Sequence, residues 1–463
     1  MKRILGGCLA IAIGVAVASM TPPDSMTPQA MWALGIIAWA VTCWIFEVAP
    51  DYVVAIAMCT ALALFKCVPF KTAFSSFSDN TWWLLFGALG MGCAVSKSGL
   101  LKRLSLGMMT IFPATFNGQV LALICGGTLI APMIPSVTAK AAIIAPISMG
   151  ISDAMGFIRK STGAAGLFAA MCLGFLMTGP MFISASFVGY MMLGLLPADI
   201  RAHFNWTDWI IAAAVWNVTL LVGMYFVLRL LYTPKEAVVI AKEQEVSQRS
   251  TLGPMSRHEK ITASVLLLAL LFWMTEPLHG VNATLVALLG LVILLVYKVF
   301  DREVFRSGMG WDNMIFIGAI INLGNVLPAL NIDQWIVRVC SPMLAPIMSN
   351  IYLVVLVLCI ATYAVRFVLV SFTATTAIFT VVLIPFALNA GINPWVTGFL
   401  VYASTNIWLA FYQSTTFLTA YYAVGGEMVT HKQMFPFFAA YCIMTILGGL
   451  LSVPYWQFLG LAP

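Results

Sequence analysis

The segments IPSVTAKAAI (Ile134–Ile143) and LVSFTATTAI (Leu369–Ile378) carry one pattern, Ser-x-Thr-Ala-x-x-Ala-Ile, and each lies inside a long apolar run. Hydrocarbon offers no partner to unpaired backbone N–H and C=O groups. A polar interruption of a membrane helix therefore persists only where protein or a water-filled cavity satisfies those groups. The two motifs predict two interrupted transmembrane helices at matching places in the chain.

The composition indicates that the chain lies in a lipid bilayer. Of 463 residues, 62% are hydrophobic and 9% are charged, and the mean hydropathy is +0.99. A water-soluble protein of this length shows far more polar surface. Apolar stretches long enough to cross about 30 Å of hydrocarbon predict an all-α polytopic membrane protein, with about 10–12 spans in one domain. The net charge of +6 lies mostly in loops, as the positive-inside rule requires, and does not indicate nucleic acid.

Two local features bear on processing and on metal binding. Residues 1–20, MKRILGGCLAIAIGVAVASM, fit either a signal peptide or a retained first helix, and a polytopic protein favours the retained helix. The ten cysteines include no Cys-x-x-Cys pair, and nearly all lie in apolar runs. They therefore predict neither disulfides nor a metal site.

The twin motif belongs to an internal repeat. Trp44 and Glu47 recur as Trp273 and Glu276, and further matches follow in the same order at a nearly constant distance along the chain. Paired halves are typical of secondary transporters, which bind substrate at the interface of the repeats near the bilayer midplane. Chance similarity of apolar segments is the alternative. We expect two repeats, inverted because an odd number of spans reverses the second copy, with these bounds: repeat one about 28–232, polar linker 233–260 and repeat two about 261–456.

The residues around the motifs predict helix ends that face an anion. Pro132 and Pro135 remove backbone donors just before Ser136, whose hydroxyl can cap the following half-helix. The N–H groups at such a helix start form a positive site suited to a carboxylate or a sulfate. No proline precedes Ser371, so the second break depends on the crowding of hydroxyl residues alone. The alternative is that these hydroxyls only bond to carbonyls about four residues earlier.

Two isolated cations lie near the motifs. Lys140 and Arg366 are each the only charged residue in a long apolar run, and each lies within five positions of a Ser-x-Thr motif. Ionisable groups at such depth usually face a cavity, an ion path or a substrate. Two cations with no carboxylate nearby in the sequence favour an anionic ligand. Snorkelling of both side chains to the membrane interface is the alternative.

Other matched segments supply further polar positions. The Gly-rich segments Phe74–Leu100 and Val304–Asn331 begin polar, turn apolar and end polar, which predicts two re-entrant hairpins, with ordinary spans as the alternative. The expected hairpin tips are Asp79, Asn80, Asp312 and Asn313. A third matched pair of segments predicts a polar stripe that completes the ligand cage, formed by Thr178, Ser184, Ser414 and Thr415.

The chain resembles the divalent anion sodium symporter (DASS) family over about residues 28–455, in the order of FSDNTWWLLFGALGMGCAVSKSGLLKRLSL, PSVTAKAAIIAPI and RFVLVSFTATTAIF. The resemblance implies a homodimeric carrier of dicarboxylates, citrate or sulfate, with re-entrant hairpins, interrupted helices and elevator-type movement. It also implies that a coupling sodium ion would bind near Ser136 and Ser371. The family's Ser-Asn-Thr positions fall on Ser136, Val137, Thr138, Ser371, Phe372 and Thr373.

The sequence departs from the family pattern at both motifs. Val137 and Phe372 replace the asparagines, so side-chain amides cannot hold a carboxylate here. PSVTAK is most similar to the citrate/succinate and tartrate/succinate exchanger branch, in which a cation follows the motif. That likeness implies that Lys140 could replace a sodium ion electrostatically. The exchangers' histidine in the second motif is Thr375 here, which counts against the comparison.

These observations predict a secondary active transporter of a C4-dicarboxylate or citrate in a bacterial inner membrane, with exchange slightly favoured over sodium symport. A sodium-coupled sulfate or oxyanion carrier and a cation/proton antiporter are the alternatives. An enzyme is not expected, because no His-Glu-x-x-His, Gly-x-Ser-x-Gly or phosphate-binding Gly-x-x-x-x-Gly-Lys motif occurs. A channel is a weaker alternative, and no cofactor is expected beyond sodium as a coupling ion.

Overall fold

The computed structural model describes residues 2–23, 26–234 and 253–463, and these residues form helices, turns and loops with no strand. The predicted all-α membrane architecture is confirmed. Residues 235–252, the greater part of the predicted linker, lie outside the described residues.

The helices divide into two sets. Those of the first half, apart from the short Phe70–Ala73, are α1 (Lys2–Ala18), α2 (Pro28–Phe46), α3 (Asp51–Leu64), α4 (Asn80–Ser98), α5 (Leu100–Ile111), α6 (Phe116–Ile130), α7 (Val137–Ala154), α8 (Thr162–Met171), α9 (Phe187–Leu195), α10 (Ala198–Ala202) and α11 (Trp206–Tyr232). Those of the second half, apart from the short Glu276–His279 and Arg302–Gly308, are α12 (Arg257–Met274), α13 (Ala283–Val296), α14 (Trp311–Ile321), α15 (Leu323–Ala329), α16 (Ile332–Met348), α17 (Ile351–Val365), α18 (Phe372–Asn389), α19 (Pro394–Thr405), α20 (Thr415–Ala423) and α21 (His431–Phe458).

The second half repeats the element order of the first. In each half an amphipathic helix, α5 or α16, precedes two pairs of helices that are each interrupted by a non-helical break. The chain bends by 69° between α4 and α5 and by 116° between α16 and α17.

Equivalent helices of the two halves make reciprocal contacts with the other half. Helix α4 packs on α13 while α14 packs on α3, and α9 packs on α18 while α20 packs on α7. The last long helices of the halves, α11 and α21, pack on each other. Reciprocal contacts of this kind arise when two similar units are related by a two-fold axis.

Two groups of helices follow from this packing. We call α1–α4 and α12–α15 the frame, and α6–α11 and α17–α21 the inner group. The span Thr162–Met181 of the inner group is completely buried. The amphipathic helices lie between the groups. Helix α5 packs on α4 of the frame and on α6 and α7 of the inner group, and α16 packs on α15 of the frame and on α17 and α18 of the inner group.

Fewer helices are long enough to span the membrane than the apolar stretches predict. Among the described residues, seven helices are long and apolar enough to cross a membrane, or nine if each bent pair is one span. Three shorter apolar helices accompany them. The number is lower because breaks divide several apolar runs into shorter helices, such as α9 with nine residues.

In the two segments expected to form hairpins, the residues predicted at the tips lie at helix starts. Asp79 caps the start of α4, where its carboxylate accepts from the Thr81 N–H at 2.8 Å, and α4 then continues to Ser98. Helices α14 and α15 meet at Asn322 and form one 19-residue apolar run, Trp311–Ala329. The polar residues at the start of the first segment satisfy a helix end, and a turn is not needed for that purpose.

Candidate functional site

The first Ser-x-Thr motif interrupts the helix at the expected place. Helix α6 ends at Ile130, a 3₁₀ turn covers Ala131–Met133, and α7 begins at Val137. Ser136 has extended backbone angles and its hydroxyl accepts from the Ala139 N–H at 3.3 Å, so it caps α7. Pro132, inside the turn, and Pro135, just after it, explain the break, because proline cannot donate to a helical carbonyl.

The second motif forms a break of the same kind without proline. Ser371 caps α18 by accepting from the Ala374 N–H at 3.3 Å. Arg366 stabilises the open backbone. Its Nε donates to the Thr405 carbonyl at 3.2 Å, and its terminal nitrogens donate to the carbonyls of Leu369 (3.1 Å), Val370 and Gln413. The fully buried guanidinium thus satisfies carbonyls that a broken helix leaves unpaired.

A second break follows in each half. Between α8 and α9 the chain passes through a π turn and two short 3₁₀ turns. Between α19 and α20 it is irregular from Asn406 to Ala410 and then forms the 3₁₀ turn Phe411–Gln413. Lys140, fully buried, donates from Nζ to the Ala185 carbonyl in the first of these breaks at 3.0 Å. Each buried cation therefore joins the two breaks of its own half.

A cavity of about 530 Å³ lies where the breaks of the two halves meet. The rings of Phe187 and Phe372, one from each half, approach to 6.0 Å between centroids. The hydroxyl of Tyr402 is buried without a hydrogen-bond partner among the described residues. The residues from the breaks and their flanks that line the cavity are Val137, Leu176, Gly179, Ser186, Arg366, Val370, Ser371, Phe372, Thr373, Tyr402, Thr405, Asn406, Trp408, Gln413, Ser414, Thr415 and Thr416.

The cavity brings together part of the predicted site. The predicted residues in its lining are Val137, Ser371, Phe372, Thr373, Ser414, Thr415 and Asn313. The predicted residues outside this lining are Ser136, Thr138, Lys140, Thr178, Ser184, Thr375, Asp79, Asn80 and Asp312.

Local bonds explain several of these exclusions. Thr375 donates to the Ser371 carbonyl at 2.9 Å, which is the bond to a carbonyl four residues earlier that the sequence left open. Ser184 accepts from the Trp206 indole N–H at 3.0 Å. Asp79 pairs with Arg201 at 3.1 Å and lines a different cavity, of about 600 Å³.

Two carboxylates that the motif analysis missed also line the cavity. They are Glu47 and Asp51, in and after the turn between α2 and α3. The Asp51 carboxylate accepts from the Ser371 hydroxyl at 2.6 Å. The cavity wall is therefore not purely cationic, which corrects the expectation drawn from sequence neighbours. Glu47 was visible only as a marker of the repeat.

Comparisons with known proteins identify relatives along the whole chain. A family model described as the sodium:sulfate symporter transmembrane region matches residues 1–462. A membrane protein of Cupriavidus necator is 30% identical, over 71% of this chain and 67% of that protein. The chloroplastic dicarboxylate transporter 1 of Arabidopsis thaliana is 27% identical, over 70% of this chain and 60% of that protein. Inner membrane protein YbhI of Escherichia coli is 27% identical, over 73% of each chain.

Two solved structures share the fold. The Alcanivorax borkumensis YdaH transporter superimposes with a TM-score of 0.60 at 16% identity and covers 100% of each chain. MtrF of Neisseria gonorrhoeae gives a TM-score of 0.54 at 14% identity, over 97% of this chain and 93% of its own. At these identities the likeness concerns the fold alone. Since the family model spans almost the whole chain, the protein belongs to the sodium:sulfate symporter or DASS family and is a membrane transporter, not an enzyme.

Proposed function

We propose that the protein exchanges C4-dicarboxylates across a bacterial inner membrane. One observation carries the proposal: a single cavity of about 530 Å³ is lined by residues next to the capped breaks of both halves. Helix α18 begins at this cavity, which Ser371, Phe372 and Thr373 line, and a helix start with hydroxyl residues favours a carboxylate. The dicarboxylate transporter of Arabidopsis thaliana among the relatives supports the choice of substrate class.

The substrate would be held without side-chain amides. Val137 and Phe372 line the cavity where the family has asparagine, so polar contacts come from Ser371, Thr373 and the helix end. The unpaired Tyr402 hydroxyl offers a donor from the second broken pair. We infer that one carboxylate binds at Ser371 and that the rest of the molecule extends toward the first half.

Exchange is favoured over sodium symport by the two buried cations. Carbonyls of unwound helix segments are the groups that bind Na⁺ in transporters with broken helices. Here Arg366 donates to carbonyls of Leu369, Thr405 and Gln413, and Lys140 donates to the Ala185 carbonyl. We infer that these side chains supply the positive charge that sodium would otherwise bring.

Elevator-type movement of the inner group against the frame is part of the same proposal, as are a homodimeric state and the inner membrane as location. The amphipathic helices α5 and α16 lie between the two groups, where they could guide such a movement. The relative YbhI of Escherichia coli is an inner membrane protein, which supports the location.

Uptake into liposomes tests this function. The purified protein is reconstituted, and entry of labelled malate, citrate and sulfate is measured with either unlabelled malate inside or an inward sodium gradient. We expect internal malate to accelerate malate uptake and sodium to have no effect. Dependence on sodium would overturn exchange, and uptake of sulfate alone would overturn the substrate class.

A proton-coupled carrier is the second candidate, because the Asp51 carboxylate touches Ser371 in the cavity. The same liposomes with an inward proton gradient and no internal substrate separate the two. Proton-driven accumulation of malate would favour this candidate.

A further inference from the structure

We propose that Asp51 is a built-in competitor of the transported anion, which occupies Ser371 in the unloaded carrier and ties the frame to the inner group. This inference rests on the proposed function, since it assumes that an anion binds at Ser371. The Asp51 Oδ2 lies 2.6 Å from the Ser371 Oγ, which is the length of a strong hydrogen bond to an ionised carboxylate.

The bond crosses from the frame to the inner group, as the Asp79–Arg201 ion pair does at another place. Asp51 is the first residue of α3, which packs on α2 and α14 of the frame. Ser371 caps α18, which packs on α9 and α19 of the inner group. A displacement of one group against the other must break or stretch this bond.

Hydroxyl chemistry makes the competition direct. A serine hydroxyl has one proton to donate, and that of Ser371 is directed to Asp51. Its oxygen accepts from the Ala374 N–H, and the Thr373 hydroxyl, 3.0 Å away, is then the donor to Ser371. A substrate carboxylate that takes the same proton must displace Asp51. Both carboxylates would be attracted by the start of α18, and two like charges at one hydroxyl repel each other.

Among the described residues, the Asp51–Ser371 contact has no counterpart at Ser136. Helix α3 begins with Asp51, whereas its counterpart α13 begins with Ala283. Ser136, the counterpart of Ser371, forms its cap but lies outside the cavity lining. The contact is therefore specific to one break. In an exchanger it would hold the empty carrier still and release it once an anion has displaced Asp51.

The test compares wild type with Asp51→Asn in liposomes containing labelled malate. Two rates are measured: net efflux into buffer without substrate, and exchange against external malate. We expect the half-saturation constant for external malate to fall about tenfold in D51N, which corresponds to about 1.4 kcal/mol. We also expect net efflux to approach the exchange rate. Asparagine is nearly isosteric, and size-exclusion elution confirms that the variant folds.

Glu47→Gln is the matched comparison, because it removes a negative charge from the same cavity wall and leaves the Asp51–Ser371 pair in place. We expect a smaller fall in the half-saturation constant and no gain in net efflux. An unchanged or raised constant in D51N, or equal effects of D51N and E47Q, would overturn the inference. Wild-type exchange of malate tests the proposed function separately, so the two failures are distinguishable.

Discussion

Replacing Lys140 by Met separates a role in transport from a role in stability. Lys140 is 0% exposed, its Nζ donates to one neutral carbonyl at 3.0 Å, and within the described residues it forms no ion pair. Burying an ammonium group costs several kcal/mol, and a single carbonyl offsets that cost only in part. Methionine fills nearly the same volume and is uncharged, but it leaves the Ala185 carbonyl unpaired, at about 1–3 kcal/mol.

The two effects oppose each other, so we expect the free energy of unfolding of Lys140→Met to stay within about 2 kcal/mol of wild type or to rise. We expect malate exchange to fall at least about tenfold, since about 1.4 kcal/mol of lost anion stabilisation suffices for that change. Unfolding is followed by tryptophan fluorescence in detergent, and exchange in liposomes. Lys140→Arg keeps the charge and should retain more exchange. The reasoning would be refuted if Lys140→Met exchanged malate at the wild-type rate, or if its free energy of unfolding fell by more than about 3 kcal/mol.

The remaining predictions use matched pairs of residues. Ser371→Ala should raise the half-saturation constant for malate about tenfold. Ser136→Ala removes an equivalent cap outside the cavity lining, so it should lower stability by about 1 kcal/mol with little change in that constant. Comparable effects of both variants on the constant would contradict the assignment of Ser371 to the substrate site. Arg103→Gln should destabilise the protein by about 1–3 kcal/mol in thermal unfolding, because Arg103 bonds both oxygens of the buried Glu259 at 2.7 and 3.1 Å. Arg159→Gln, which removes the exposed ion pairs with Asp153 and Glu427, should cost about 0–1 kcal/mol. An equal loss of stability in the Arg103 and Arg159 variants would show that burial of the pair does not determine its contribution.

The positions of the helix breaks could be predicted from the sequence because the residues that cause them lie next to each break. Prolines and capping hydroxyls act within a few residues, and the structure places Ser136 and Ser371 as caps where the motifs predict them. The predicted hairpin tips depend on a weaker signal, because a polar residue before an apolar run indicates a helix start and a turn equally well. In the structure, Asp79 is a helix cap.

Local sequence signals do not predict which way a side chain points or which distant residues come into contact. Lys140 lies one helical turn after Ser136, on the face that packs against the break at Ala185, whereas Val137 faces the cavity. The contact between Asp51 and Ser371 joins residues 320 positions apart. Only the packing of the two halves brings such residues together, and no local pattern encodes it.

The two buried cations have equivalent roles in the two halves although their sequence positions differ. Lys140 follows its Ser-x-Thr motif and Arg366 precedes its own, so the two cations do not align in sequence. In the structure, Lys140 reaches the break between α8 and α9, and Arg366 reaches the break between α19 and α20. The shared feature is thus a fixed positive charge that joins the two breaks of one half. If these charges replace bound sodium, each half keeps its own positive charge through every transport step. Binding of the anion then needs no sodium ion, and it changes the Asp51–Ser371 contact directly.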